Sequence, residues 1–276
     1  MNVSGIAIIG GGNLGGAIAE GLLSSHYIKP ASLTVTRRKT ERINYLKEMG
    51  VDVTADNNAA VRGKSVVIVA VKPYKIAEVL KSLADDLAVD RPIVVSVVTG
   101  VDLADMQKWL PNDVPLFRAM PNTAIAIGQS MTCMSTNNGT EAQIETVSGL
   151  FNQLGKTVLI DDELMEAATV QAACGIAYAM RFIRAATQGG IEIGFDAQTA
   201  ALIASQTVKG AAELLITRGH HPEAEIDKVT TPQGCTIVGL NEMEFRGFSS
   251  ALIRGIKASY DKIGKIGNND SQELVD

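Results

Sequence analysis

The sequence predicts an α/β protein: a doubly wound, mainly parallel sheet followed by an all-helical domain. Two observations lead to this. Over the first 160 residues, short β-branched runs alternate with stretches of helical spacing, and several runs are apolar at every position, as in strands buried on both faces. Beyond about residue 161 the strand-like runs cease and long helical patterns take over. We therefore place one domain at 1–161 and a second at 162–276.

The predicted elements follow in chain order. Each strand-like run has the length of one strand, and the runs cover residues 6–9, 33–36, 66–71, 93–98, 116–120, 131–134 and 157–160. Apolar residues at helical spacing lie between many of them. In the second half, helices are predicted at 164–173, 177–193, 197–217 and 248–263. Gly194 and Gly219 follow two of these helices as C-caps.

Composition excludes several classes of function. Hydrophobic residues make up 46% of the 276 residues and charged residues 20%, which indicates a folded chain. The net charge of −5 provides no basic face for nucleic acid. Cys133, Cys174 and Cys235 form no C-x-x-C pair, so we expect neither a disulfide framework nor a metal site. With no membrane-length apolar run and no signal-peptide pattern, we expect a cytoplasmic protein.

Small residues line one face of the helix predicted at 197–217, and the mean hydropathy of +0.14 is high. Small faces permit close helix packing. This pattern favours packing against a second subunit, and packing within one tight bundle is the alternative.

A glycine-rich turn is the sharpest local signal. Gly10, Gly12 and Gly15 form G-x-G-x-x-G between a strand-like run and a helical one. In this context Gly10 permits the turn, Gly12 admits a pyrophosphate and Gly15 lets the helix pack on the strand. The helix N-terminus offers free N–H groups to that pyrophosphate. The residues expected to bind a dinucleotide here are Ile9, Gly10, Gly12, Asn13, Leu14 and Gly15.

The end of the second predicted strand indicates which dinucleotide binds. An NAD site usually has a carboxylate there, but this strand ends in Thr36-Arg37-Arg38. Guanidinium groups bind a 2′-phosphate that a carboxylate would repel. We therefore expect NADP(H) in preference to NAD(H), with NAD(H) still possible. The alternative is a solvated basic turn.

Other candidates lie at the ends of later strands, because ligands bind beyond the carboxyl ends of an open parallel sheet. Asn122 follows the strand 116–120 and is expected near the substrate, with a turn or cap as its alternative role. The further cofactor-binding candidates are Asn57, Ala70, Val71, Lys72, Pro73, Val97, Thr99 and Met120.

One loop of the helical half, residues 229–237, is dense in hydroxyls and turn residues. Such a loop can bind a small carboxylate through backbone N–H groups. Thr236 stands where a helix would begin, so its alternative role is an N-cap. A turn that binds nothing is equally compatible with the composition.

Several blocks, in order, resemble the pyrroline-5-carboxylate reductase family over about residues 5–266. They read IAIIGGGNLGGAI at 6–18, VAVKP at 69–73, RAMPNTAIAIGQSMT at 118–132, ELMEAATVQAACGIAY at 163–178 and VTTPQGCTIVGLNEMEFRGFSSALI at 229–253. The last block is the most specific to the family.

The resemblance implies a Rossmann domain followed by a helical dimerisation domain, with an active site completed where two subunits meet, often in a ring of dimers. It implies reduction of a cyclic imine to L-proline with NADPH or NADH. By this match, Thr231 and the backbone N–H groups near Gly234 and Cys235 bind the substrate carboxylate, and Thr236 bonds to the ring nitrogen as the catalytic residue. A protonated imine accepts hydride directly, which agrees with the lack of an obvious histidine base.

The chain departs from the family at 172–178, where Ala-Ala-Cys-Gly-Ile-Ala-Tyr replaces the common Ser-Gly-Ser-Gly-Pro-Ala-Tyr. This keeps open a paralogue for another cyclic imine, or a non-catalytic NADP(H)-binding regulatory protein. A 3-hydroxyacid dehydrogenase of the same plan is the other alternative. It usually needs a lysine base on the first helix of the second domain, and residues 163–180 contain no lysine or arginine.

Overall fold

The structure, a computed structural model, describes residues 3–270. The described residues up to Cys174, together with those from Tyr260 onward, form one compact unit, and Gly175–Ser259 form a second. The domain boundary at 161/162 stays a prediction, because compactness divides the chain later, after Cys174.

The first unit contains a sheet of eight strands, which confirms the predicted fold class. The strands are β1 (Ile6–Ile9), β2 (Leu33–Thr36), β3 (Asp52–Thr54), β4 (Val66–Val69), β5 (Ile93–Ser96), β6 (Leu116–Met120), β7 (Ser130–Thr136) and β8 (Gly155–Leu159). Their spatial order is β3-β2-β1-β4-β5-β6-β7-β8. All neighbours pair in parallel except β6 with β7, which is antiparallel.

Helices cover both faces of this sheet. They are α1 (Asn13–Ser24), α2 (Asn44–Glu48), α3 (Asn57–Val61), α4 (Ile76–Asp90), α5 (Leu103–Gln107), α6 (Glu141–Phe151) and α7 (Met165–Ala168), the last continuing as a π-helix over Thr169–Cys174. Successive residues of β1 serve opposite faces: Ile8 packs in one core cluster with Leu22 of α1, and Ile9 in another with Leu80 of α4. Burying each such side chain contributes about 1.5–3 kcal/mol.

A buried ion pair ties the start of the helical region to the sheet. Arg118 of β6 donates from Nη1 to Asp162 Oδ1 at 2.8 Å, and its side chain is 6% exposed. Asp162 also accepts from the Ser135 hydroxyl of β7 and from the Leu103 N–H that opens α5. One carboxylate therefore joins three elements of the first unit.

The second unit is helical, as the sequence predicts. It contains α8 (Gly175–Glu192), α9 (Ala197–Arg218), α10 (Pro222–Val229), α11 (Cys235–Phe245) and the first part of α12 (Phe248–Asp270). Gly219 caps α9 with a left-handed φ of +66°. Part of the small-residue face of α9 packs on α8, since a Cβ at Gly190 would lie 3.0 Å from that of Ala200. Larger side chains of α9 are exposed, among them Leu202 and Ile216. Within the described residues, no helix has both the length and the apolar character required to cross a membrane.

Candidate functional site

The register of the sheet brings the predicted cofactor-binding residues to one edge. Ile9 at the end of β1 pairs with Thr36 on one side and with Val69 on the other, and Val69 pairs with Ser96. The residues that follow these strand ends therefore emerge together at the carboxyl edge. β1 lies between β2 and β4, so this is the point where the strand order reverses and where open sheets bind ligands.

The glycines of the turn are required by close packing. Gly10 has a φ of +108°, and a Cβ there would lie 2.6 Å from the Ala70 carbonyl oxygen. A Cβ on Gly15 would lie 2.2 Å from the Gly10 carbonyl oxygen. Gly12 differs, because nothing lies within 4 Å of its Cβ position. Gly10 and Gly15 are therefore needed for packing, whereas Gly12 leaves open space beside the backbone.

Helix α1 begins at this turn with unused donors. Its N-cap is Gly12, which is exposed and provides no side-chain cap. The N–H groups of the first turn, including those of Asn13 and Leu14, have no intrahelical acceptor. An exposed, uncapped N-terminus with open space at Gly12 fits the pyrophosphate of a dinucleotide.

The end of β2 braces the turn and presents cations beside it. Thr36 Oγ1 accepts the Gly10 N–H at 3.2 Å. Arg37 Nη1 donates to the Gly11 carbonyl at 2.7 Å, and its backbone N–H donates to Thr54 at the end of β3. Arg38 is exposed. Of the two cations that the sequence assigns to a 2′-phosphate, Arg37 thus contacts the glycine turn, and Arg38 follows it in the chain.

Tyr45 of α2 is a neighbour of this turn that the sequence analysis missed. Its hydroxyl would lie 2.9 Å from a Cβ on Gly16. Burial, and next a hydrogen bond with Glu20, raise the pKa of Tyr45 to about 12, while the charge of Arg37 opposes this rise. A lone tyrosine in a short amphipathic segment provides no signal that would have identified it.

The other predicted cofactor residues extend the same edge. Ala70 and Val97 donate their N–H groups to Ile9 and Val69, and Thr99 Oγ1 lies 3.8 Å from Met120 Sδ. Between β4 and α4, Val71 is half-buried and Lys72 and Pro73 are exposed. Asn57, which is half-buried, is the first residue of α3 after β3.

Asn122 connects the segment after β6 to the π-helix. Its N–H donates to Ser130 Oγ, its Oδ1 accepts the Ala124 N–H, and its Nδ2 donates to the Ala172 carbonyl at 3.3 Å. The predicted capping role is therefore present, and the side chain also holds Ala172 in the stretch where the sequence departs from the family.

A cleft of the first unit lies away from these residues. It has a volume of about 1220 Å³, and its lining includes Asp102, Asp161, Glu163 and the buried Arg118. None of the predicted site residues lines it. Its carboxylate-rich lining does not suit an anionic dinucleotide, so we base the site on the glycine turn instead.

In the second unit, residues 231–236 form a turn followed by a helix start. The Gly234 N–H donates to the Thr231 carbonyl at 3.0 Å, with Pro232 between them and Gln233 at a φ of +60°, as in a type II turn. A Cβ on Gly234 would lie 2.5 Å from Thr231 Oγ1, so this position has no room for a side chain.

Gly234 is the N-cap of α11 and provides no side-chain cap. The alternative of Thr236 as the N-cap is therefore wrong. The exposed Cys235 and the half-buried Thr236 open the helix with free backbone N–H groups. Such a helix start, beside the Thr231 hydroxyl, is suited to a small carboxylate.

A glycine turn at the switch point of a parallel sheet, with an uncapped helix N-terminus and Arg37 bonded to the turn, defines a dinucleotide-binding protein of the Rossmann type. Comparison with known proteins agrees. Residues 162–266 match the family model "Pyrroline-5-carboxylate reductase dimerisation", and residues 5–100 match "NADP oxidoreductase coenzyme F420-dependent".

Curated relatives make the assignment specific. Pyrroline-5-carboxylate reductase 1 of Dictyostelium discoideum is 46% identical over 95% of this chain, although the match spans 50% of that relative's length. Pyrroline-5-carboxylate reductase 2 of the same organism is 42% identical, with 96% of this chain and 93% of the relative covered. A solved pyrroline-5-carboxylate reductase from Coxiella burnetii superposes with a TM-score of 0.89 at 27% identity, covering 96% of this chain and 98% of that one.

The chain belongs to the pyrroline-5-carboxylate reductase family, which confirms the resemblance found in the sequence. These relatives favour neither the 3-hydroxyacid dehydrogenase nor the non-catalytic alternative.

Proposed function

We propose that this protein reduces 1-pyrroline-5-carboxylate to L-proline by direct hydride transfer. The observation that carries the proposal is the 42% identity that spans 96% of this chain and 93% of a pyrroline-5-carboxylate reductase. The first relative is about twice as long as the matched region, so the proposal concerns the reductase reaction alone.

NADPH is the proposed hydride donor. The N-terminal family model is described as an NADP oxidoreductase. In this chain, Arg37 lies against the glycine turn through its bond to the Gly11 carbonyl, next to the exposed Arg38. Two guanidinium groups favour a 2′-phosphate over a bare ribose hydroxyl. NADH remains the weaker substitute.

The proposed roles in the second unit concern binding and alignment. The Gly234 N–H, which the resemblance assigns to the substrate carboxylate, donates to the Thr231 carbonyl instead. The N–H groups of Cys235 and Thr236 and the Thr231 hydroxyl therefore bind that carboxylate. The Thr236 hydroxyl bonds to the ring nitrogen, which is protonated before reduction. When bound, the nicotinamide supplies a hydride, so the C=N bond becomes a C–N bond and the nitrogen retains its proton. No further acid is needed, and the residues contribute orientation and exclusion of water.

We propose a homodimer, or a ring of dimers, located in the cytoplasm. The match to a dimerisation family supports self-association. Exposed apolar side chains on the second unit, including Phe182, Phe245 and Ile253, support it as well. Light scattering coupled to gel filtration measures the oligomer size.

An assay of NADPH oxidation with the cyclic imine tests the reaction, with NADH in a parallel series. We expect turnover with both cofactors and a lower KM for NADPH. Rapid NADP reduction with 3-hydroxyacids, or NADPH binding without imine reduction, would refute the proposal.

A further inference from the structure

Glu225 of α10 is the centre of a charged cluster in the second unit that the proposed reaction does not use. Its carboxylate accepts hydrogen bonds from Lys228 Nζ and His220 Nδ1 at 2.5 Å each, and from Arg218 Nη1 at 3.2 Å. The Glu225 side chain is 12% exposed, whereas its three partners are about half exposed. The carboxylate is therefore enclosed by its own partners.

The three partners come from different segments of the chain. Arg218 is the last residue of α9, His220 lies in the connection and Lys228 lies in the last turn of α10. Single exposed ion pairs contribute little, but a network that shares one carboxylate is more persistent. Hydrogen bonds from Lys228 and His220 lower the pKa of Glu225 to about 2. Glu225 therefore stays ionised at neutral pH and fastens α10 to the end of α9.

Hydrogen bonds continue from α10 into the turn that begins α11. Thr230 Oγ1 donates to the Ile226 carbonyl at 2.8 Å, and the Thr230 N–H donates to Asp227. The next residue, Thr231, accepts the Gly234 N–H, and Gly234 caps α11. A displacement of α10 is therefore transmitted through Thr230 to the turn that carries the Thr231 hydroxyl and the start of α11.

We propose that Glu225 is a positioning residue for imine reduction, which holds Thr231 and the α11 N-terminus in the arrangement that binds the substrate carboxylate. Glu225 acts through α10 and does not touch the substrate. This inference rests on the proposed function of residues 231–236.

The test compares Glu225→Gln with Glu223→Gln in the full chain. Glu223 is an exposed residue of the same helix, so its variant removes the same charge without removing the network. Since small misplacements of binding groups cost one to two orders of magnitude, we expect about a tenfold higher KM for the imine in Glu225→Gln. We expect kcat to fall less than the KM rises and NADPH affinity to match that of Glu223→Gln, with a small loss of Tm because the network is removed. Glu225→Asp, which keeps the charge, should have a KM between those of the parent and Glu225→Gln.

Two results would overturn the inference: an unchanged KM in Glu225→Gln, or a joint loss of kcat, NADPH affinity and Tm, which indicates a general structural role. Hydrogen exchange of the amides at 230–236 separates this inference from the proposed function. Faster exchange in Glu225→Gln than in Glu223→Gln supports positioning even if the imine is not the substrate, and equal exchange contradicts it. If Glu225→Gln does not fold, Lys228→Met replaces it in both measurements.

Discussion

Replacing Gly12 with alanine separates the folding role of the glycine turn from its ligand-binding role. The position has a φ of −80° and a ψ of −162°, which alanine adopts without strain, and no atom lies within 4 Å of the new Cβ. A glycine-to-alanine change at such a φ and ψ gains about 0.4–1 kcal/mol through the unfolded state, but a helix N-cap prefers glycine to alanine by a similar amount. The two effects oppose each other, so the Tm should stay within roughly 4 °C of the parent value.

The same methyl group would occupy the space through which, in the proposed site, a pyrophosphate approaches the N-terminus of α1. We expect the Kd for NADPH to rise about 10- to 1000-fold, which corresponds to roughly 1.4–4 kcal/mol. Calorimetric titration with NADPH measures the affinity, and a thermal melt of the ligand-free protein measures the Tm.

Gly149→Ala is the matched control. Gly149 lies inside α6 and also has nothing within 4 Å of its Cβ position, so the variant should gain stability and bind NADPH as the parent does. An NADPH affinity within threefold of the parent in Gly12→Ala, together with a normal melt, would show that no pyrophosphate lies at this turn.

Four further predictions concern other parts of the molecule. Arg37→Asp should raise the Kd for NADPH about tenfold and that for NADH less, because a charge-assisted phosphate contact is lost; equal effects in titrations with both cofactors would contradict a phosphate role. Thr236→Ala should lower kcat by about 10–1000-fold with NADPH affinity unchanged, as for the loss of one oriented hydrogen bond, and an unchanged steady-state rate would remove Thr236 from the mechanism. Asp162→Ala leaves Arg118 buried without its partner, so urea unfolding should show a free energy of unfolding lower by about 3–5 kcal/mol. Adding Arg118→Met should reduce this loss, and an equal loss in the double variant would argue against coupling between the two residues. The pKa of Glu225 is lowered from 4.5 to about 2, so its contribution to stability is present above pH 4.5 and disappears as the pH falls towards 2. The urea midpoints of the parent and Glu225→Gln should therefore converge over that range. Midpoints that stay separated down to pH 2 would contradict this.

The strands could be predicted where both faces of the sheet are buried. β1, β2 and β6 have the predicted bounds, since every residue of each is buried and, apart from Arg118 in β6, each residue is apolar or β-branched. β3 was missed because it has three residues, begins with Asp52 and is not buried, so it provides no hydrophobic pattern. The antiparallel pairing of β6 with β7 depends on the direction that the connection between them gives to β7. The hydrophobic periodicity of a strand does not indicate its direction in the sheet.

The candidate site, too, could be predicted only in part from the sequence. The glycine turn was predictable because its spacing reflects local backbone sterics that Gly10 and Gly15 satisfy within a few residues. Contacts between residues far apart in the chain could not be predicted in this way. The bond from Arg37 to Gly11 and the bond from Asn122 to Ala172 depend on how elements pack, and single-sequence patterns do not encode that packing.

β8 ends the sheet, so one side of its backbone has no neighbouring strand within the described residues. Val158 and Leu159 are 40% and 48% exposed there, and an apolar strand edge of this kind can recruit a second chain into aggregates. Lys156 places a charge within the strand, and the exposed carboxylates of Asp161 and Glu163 follow shortly after the strand ends. These charges act as gatekeepers: neutralising them should make a refolding chain more prone to precipitate at an edge that lies far from the glycine turn in strand order.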